Sequence, residues 1–130
     1  MADLSIEVCG VRYPNPFVLA SGPPGTNGKV IQRSFELGWG GIVCKTISLD
    51  ARKVTNRVDQ KEVIGFQNIE LISDRPFDTW LTELAECKRA YPDHALIASI
   101  MEEYSKEAWV EITERTQETG VDALELNLSC

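Results

Sequence analysis

The sequence contains one histidine, His94, and four cysteines, Cys9, Cys44, Cys87 and Cys130, so widely scattered that no C-x-x-C pair forms. Zinc and iron–sulfur centres need clustered thiolates and imidazoles, so no metal site is expected within this chain. A papain-like cysteine nucleophile would need a histidine partner. His94 instead sits in YPDHAL, a turn before a strand, and reads as a solvated loop residue. Cys44 lies in an apolar strand-like run and Cys87 on a helix, and these two, with Cys9, read as structural filler behaving like small hydrophobes. Long hydrophobic runs are missing too: none approaches the ~20 apolar residues of a membrane helix, and the opening MADLSIEVCG has neither a basic nor an apolar leader region. A cytoplasmic protein without membrane contact is expected. Positive charge is scarce, with 13 Lys and Arg against 20 Asp and Glu, a net charge of −7 and a pI near 4.7. Phosphate backbones need clustered Lys and Arg, so nucleic acid is excluded as a partner and a small molecule fits better. The phosphate fingerprints G-x-G-x-x-G and G-x-x-x-x-G-K-[ST] are absent, as are H-E-x-x-H and G-x-S-x-G. SGPPGTNG has three glycines, but its two prolines remove backbone donors; it reads as a tight turn that lets a planar ligand approach the backbone of residues 20–22.

What is present is an ordinary globular composition, 43% hydrophobic and 25% charged over 130 residues, enough for one modest core. Two periods alternate along it. PFVLAS (16–21) reads as a strand closed by the SGPPG breaker. NGKVIQRSFELG places Val30, Ile31, Ser34, Phe35 and Leu37 largely on one helical face, with Asn27 as N-cap and Gly38 as the stop. GIVCKTIS (41–48) is a second strand, and FDTWLTELAECKRAY (77–91) a helix with Trp80, Leu81, Leu84, Ala85 and Lys88 on one stripe. ALIASIM (95–101), a helix over 105–120 capped by Ser105 and ended by Gly120, and VDALELNLSC (121–130) complete the pattern. The strands are near-continuous apolar runs, as when both faces are covered, and strand–helix–strand alternation means parallel βαβ units. LSIEVCGVRYPNP, ahead of them, reads as a small hairpin suited to plug the bottom of a barrel.

The connection over residues 49–76 far exceeds the usual link of about 2–6 residues. Its first half is polar; its second, VIGFQNIELIS, is apolar enough to demand packing, which makes Asn68 and Glu70 candidates for groups held above the sheet. In parallel α/β folds ligands bind at the carboxyl ends of strands. Those ends here are Ala20-Ser21-Gly22, Lys45-Thr46, Ser99 and Asn127-Leu128-Ser129-Cys130, each polar or small. A period of two puts Lys45 with Val43, and Asn127 with Glu125 and Ser129. A lysine inside IVCKTI is costly to bury unless it meets a carboxylate, a carbonyl or an electron-rich ligand, and a structural Lys45–Glu125 ion pair is the plain alternative to a ligand role.

NPFVLASG, GWGGIVCKTIS, GFQNIELIS, LIASIM and DALELNLSC, in this order and spacing, resemble the flavin-dependent dihydropyrimidine and dihydroorotate dehydrogenases over essentially the whole chain. IELIS after the loop asparagine looks more like the dihydropyrimidine branch, including the PreA-type catalytic subunit of the bacterial NAD-dependent enzyme. The resemblance implies an α/β fold, the amino-terminal half of a (β/α)8 TIM barrel with an N-terminal β-hairpin and about four βα units. A full barrel takes about 250 residues, so residues 1–130 are expected to be the incomplete amino-terminal portion of one FMN-binding barrel domain, inactive alone. By resemblance Ala20, Ser21, Lys45, Thr46 and Asn127 contact FMN, and Asn68, Glu70, Asn127 and Ser129 belong to the substrate side. Cys130 matches the general acid/base. The implied reaction reduces the C5–C6 double bond of uracil or thymine, or reverses that, with a hydride from flavin N5 and a proton from Cys130. Amide side chains suit the alternating C=O and N–H edge of the pyrimidine, and a thiol with an ordinary pKa of about 8.5 can give a proton up and recover it. Iron–sulfur clusters are expected only outside this chain, on an electron-transfer subunit or domain that uses NAD(P)H and FAD, within a homo- or hetero-oligomer. Dihydroorotate dehydrogenase is the alternative activity, and a non-catalytic half-barrel used for binding or assembly the alternative of another class.

Overall fold

The computed structural model describes residues 2–50 and 72–128. The chain begins with the expected hairpin: β1 (Ile6–Val8) pairs antiparallel with β2 (Val11–Tyr13). The two residues between them, Cys9 and Gly10, both take positive φ, 51° and 79°, as in the two-residue turns whose twist matches that of the strands. Cys9 is therefore exposed at a hairpin tip and is not packing filler. Tyr13 is the buried hairpin residue, with its ring against Gly41.

Four parallel strands follow, β3 (Val18–Leu19), β4 (Gly41–Val43), β5 (Ala95–Ile100) and β6 (Ala123–Leu126), in the spatial order β3-β4-β5-β6. Helices α1 (Gly28–Glu36), α2 (Phe77–Ala90) and α3 (Lys106–Gln117) alternate with them. Sequential parallel order without a reversal is that of a (β/α)8 barrel, unlike a doubly wound sheet, whose strand order switches direction. β5 is buried nearly throughout, whereas β3 and β6, at the two sides of the sheet, are only partly covered.

Local signals set the helix ends. Asn27 accepts the Val30 N–H at 3.0 Å. At the other end of α1 the Gly38 N–H bonds the Phe35 carbonyl and the Trp39 N–H the Ser34 carbonyl, with Gly38 at φ 94°, the pattern of a Schellman motif. Leu37 is the C-cap of this helix and is 65% exposed, so it does not share the apolar face with Ile31 and Phe35. Ser105 caps α3 by accepting the Ala108 N–H. Glu83, reaching from α2, accepts the Gly28 N–H at 2.8 Å and so caps α1 from a neighbouring helix. The core lies between sheet and helices: Ile42, Cys44, Leu96, Ala98 and Ile100 meet Ile31, Phe35, Trp80, Leu84, Cys87 and Ile112. At the amino ends of the strands, Asp122 accepts from Leu96 N and Lys88 Nζ, each at 2.8 Å, and Lys88 also donates to the carbonyls of Pro92 and His94. Among the described residues no ion pair joins Lys45 to Glu125, and no helix is long and apolar enough to cross a membrane.

His94 departs from the solvated residue that YPDHAL implied. Its ring lies 4.8 Å from that of Phe35 and 5.7 Å from that of Tyr91, and it is half-buried. Desolvation lowers its pKa below the ordinary value, opposed by the charge of Asp93 and assisted by that of Lys88. Such a group binds its proton more readily in the unfolded chain. Stability is thus highest above the unfolded pKa of about 6.5 and falls as pH drops through it towards the folded value. His94→Phe is expected to reduce the drop in denaturant midpoint between pH 7.5 and pH 5.5; an unaltered drop would show that His94 does not govern it.

Candidate functional site

At the carboxyl side of the sheet β4 leaves regular pairing. Val43 stands opposite Ile97, yet the next bridge joins Ile47 to Ile100, so four residue steps on one side match three on the other. The hydrogen bonds agree: Cys44 N–H goes to Ile97 O and Ile47 N–H to Ser99 O, both at 2.9 Å. One residue is inserted, as in a β-bulge, a feature that re-aims side chains at strand ends. Cys44 and Ile47, three apart, consequently both lie fully buried on the helix side. Strict alternation over 41–48 would have put Thr46 there with Cys44. Instead, the Thr46 Oγ1 lies 2.9 Å from Ser99 Oγ and accepts Asn127 Nδ2 at 3.1 Å. Ser99 alternates with the core residues Ala98 and Ile100, and Asn127 follows Leu126 in the register of Glu125, so the three meet on the face turned away from the helices.

The turn after β3 supports this bulge. Pro23–Gly25 forms a single 3-10 turn, and the Gly25 carbonyl accepts the Lys45 N–H at 2.9 Å. That bond gives a partner to a donor displaced from the sheet ladder. A Cβ on Gly25 would stand 2.8 Å from the Val43 carbonyl oxygen and 3.0 Å from Cys44 Cα, so only glycine lets the turn lie flush on the strand. The segment entering α2 returns to the same place: Ser73 N–H donates to the Thr46 carbonyl at 2.7 Å, and Ser73 Oγ accepts Trp80 Nε1 at 2.9 Å.

Of the residues singled out from the sequence, Thr46 and Asn127 are brought into direct contact, and Lys45, half-buried, is tied through its backbone to the Gly25 turn. Ala20, exposed, and Ser21, half-buried, carry the chain from β3 into that turn. Asn68, Glu70, Ser129 and Cys130 lie outside the described residues. Ser99 was legible as a strand-end hydroxyl in LIASIM, but its partners were not. Beside the cluster, Met101, Glu102, Tyr104, Trp109, Asn127 and Leu128 border an open cleft of about 210 Å³. Burial pushes the Cys44 thiol up to about 12, with the Glu125 charge adding to it. It stays protonated in this environment and is no nucleophile. Burial also raises Cys87, whose Sγ donates to the Gly28 carbonyl. Among the described residues no group of three or more His, Cys, Asp or Glu is placed to hold a metal ion.

No family model matches the chain. Over 141 aligned residues, however, it is 53% identical to the chloroplastic dihydropyrimidine dehydrogenase (NADP+) of Arabidopsis thaliana, an alignment covering 98% of this chain and 33% of that protein. The chain is a homologue of dihydropyrimidine dehydrogenases. A second dihydropyrimidine dehydrogenase relative, the NAD-dependent enzyme's subunit PreA of Escherichia coli, is 44% identical over 134 residues, 98% of this chain and 32% of the subunit. The catalytic subunit of dihydroorotate dehydrogenase B (NAD+) of Thermoplasma acidophilum is more distant, 32% identical over 134 residues, all of this chain and 43% of that protein. The chain thus spans about a third of the length of its dihydropyrimidine dehydrogenase relatives. The Thr46–Ser99–Asn127 cluster stands at the carboxyl ends of three adjacent strands, the end of parallel α/β folds where ligands generally bind.

Proposed function

We propose that residues 1–130 are the amino-terminal portion of one (β/α)8 barrel domain that binds FMN, and that the protein carrying them interconverts uracil or thymine with the 5,6-dihydropyrimidine. The observation that carries this reading is the junction of Thr46, Ser99 and Asn127 at three adjacent strand ends, in a chain 53% identical to a dihydropyrimidine dehydrogenase. Asn127, with Asn68, offers amide donors and acceptors to the alternating edge of the pyrimidine, and Glu70 and Ser129 stand on the substrate side. FMN is assigned to Ala20, Ser21, Lys45, Thr46 and Asn127. Two features of these residues fit such a group. Side chains are small from Ala20 to Gly22, where a Cβ on Gly22 would meet no atom within 4 Å, and the half-buried Lys45 brings a positive charge to the strand ends. When bound, FMN supplies the hydride for C6 of the pyrimidine. Cys130 donates the proton to C5 and recovers it in the reverse direction, and Lys45 stabilises negative charge that develops beside it.

The E. coli relative is by name a subunit, which supports an electron-transfer partner here, a subunit or domain carrying NAD(P)H, FAD and iron–sulfur chemistry in a homo- or hetero-oligomer. A cytoplasmic location belongs to the same reading. The absorption spectrum of the full-length protein, followed by turnover assays with uracil, thymine and dihydroorotate, tests it. A yellow, flavin-like spectrum and uracil or thymine turnover are expected; a colourless protein would remove FMN. Efficient turnover of dihydroorotate alone would move the protein to the dihydroorotate dehydrogenase reading, which the 32% identity favours as second.

A further inference from the structure

The carboxyl ends of β3, β4 and β6 are assigned ligand contacts above; that of β5 is not. The chain leaving β5 reaches Glu102, half-buried and just past Ile100. Its carboxylate turns across to the end of β4, where Oε1 accepts Ser48 Oγ at 2.9 Å and the Leu49 N–H at 2.6 Å. Ser48 Oγ in turn accepts the Asp50 N–H at 3.3 Å. Backbone pairing of the two strands reaches as far as the Met101 N–H on the Ile47 carbonyl, at 3.0 Å. The Leu49 and Asp50 donors lie past it, and a backbone donor shielded from water needs a partner. Ser48 is buried and Leu49 packs against the core. A carboxylate meets that need with charge-assisted bonds, about twice as strong as neutral ones. One side chain thus takes over where the ladder stops and ties residues 48–50 to β5.

Those residues open the connection over 49–76, and its returning foot is fixed at the same strand end. The Ser73 N–H donates to the Thr46 carbonyl at 2.7 Å, and Ser73 Oγ accepts Nε1 of the fully buried Trp80. The two feet are therefore held at Thr46 and at Leu49, a short way apart along one chain segment. Their anchors differ: a core tryptophan sets the returning foot, and Glu102 sets the outgoing one. Fixing both ends of a connection meets its closure entropy before a ligand arrives, which is preorganisation. We infer that Glu102 is a positioning residue for pyrimidine binding: it fixes the base of the connection whose sequence carries Asn68 and Glu70. This rests on the reading that those two residues serve the pyrimidine. Without the carboxylate, the cost of fixing the outgoing foot falls on the ligand. Affinity then drops, while the chemical step in the assembled site is unchanged.

The test uses the full-length protein. Isothermal titration with uracil, steady-state kinetics, flavin content and amide hydrogen exchange at residues 49 and 50 are compared for wild type, Glu102→Ala, Glu102→Gln and Ser48→Ala. Glu102→Ala is expected to raise the uracil Kd and KM about 3- to 10-fold, the worth of one hydrogen bond, with kcat and flavin content little changed and exchange at residues 49 and 50 faster. Glu102→Gln keeps an oxygen that accepts from both donors, so it is expected to restore most of the affinity. Adding Ser48→Ala to Glu102→Ala is expected to change Kd less than twofold, because both substitutions break the same contact. Equal losses in the alanine and glutamine variants, or a fall in flavin content that matches the loss of uracil binding, would make Glu102 a structural group only and overturn the inference. So would faster exchange with an unchanged Kd, or a raised Kd with unchanged exchange, and each of these leaves the pyrimidine reading intact. A wild-type protein that binds no uracil removes both. Should Glu102→Ala fail to fold, Ser48→Ala decides: weaker uracil binding with full flavin content supports the clamp, and an unchanged Kd refutes it.

Discussion

Uracil reduction by the full-length protein is expected to fall about 10²- to 10⁴-fold on Cys130→Ala, with flavin still bound, the range by which a positioned acid or base accelerates proton transfer. Cys130 follows the Asn127 that Thr46 holds, three positions along the same chain. Strand β6 ends at Leu126 and the Asn127 N–H is still tied to the Ile100 carbonyl at 2.9 Å, so the proposed pyrimidine anchor stands at the end of the sheet, three residues before the proposed acid in the sequence. Of the other thiols, Cys44 and Cys87 are buried with raised pKa values, and Cys9 is exposed at the tip of the amino-terminal hairpin. Turnover of uracil and the flavin spectrum are measured on the same preparation. An unchanged rate at neutral pH would remove the acid/base assignment; loss of flavin together with activity would make Cys130 a binding or folding residue instead.

Gly40→Ala is expected to cost about 3 kcal/mol of stability or more, at or beyond the upper end for overpacking. A Cβ at this position would stand 2.1 Å from the Asn15 carbonyl oxygen and 2.8 Å from Asn15 Oδ1. Neither side has room to yield. Asn15 is pinned by donating Nδ2 to the Gly38 carbonyl and accepting the Phe17 N–H on Oδ1, while Gly40 donates to Phe17 O and accepts from Ala95 N. The substitution thus loosens the start of β4 from β3 and β5 together. With typical domain stabilities of about 5–15 kcal/mol, such a loss removes a large share of the whole. Gly38→Ala is the control: its strain is conformational, from φ 94° with no atom within 4 Å of the added carbon, and it should cost only about 1 kcal/mol. Denaturant midpoints of both variants decide the matter, and equal losses would mean that the contact with Asn15 is not tight.

The helix ends were readable because their causes are local. Asn27, Gly38 and Ser105 act on backbone groups within one turn of themselves, and the hairpin needs only two residues that tolerate positive φ. Leu37 misled because apolar character was projected one position past the last helical residue. His94 misled because turn chemistry describes the backbone of YPDHAL and says nothing of the Phe35 ring arriving from another helix. The strands were placed correctly but drawn too long, since apolar character continues at both ends of β3, and beyond Val43 in β4, after ladder pairing stops.

The sequence by itself determined the βαβ alternation, the helix caps, the hairpin and the set of polar residues at strand ends, because each depends on composition or on neighbours within a few positions. Tertiary structure alone decided which of those polar residues meet. Thr46 and Ser99 are 53 positions apart and Thr46 and Asn127 are 81 apart. Strict alternation along 41–48 would put Thr46 on the helix side with Cys44. The bulge that reversed its direction exists only in the pairing of β4 with β5 and in the Gly25 turn packed upon it. Side-chain direction in a strand follows its neighbours' register, a relation between distant segments that no local pattern encodes.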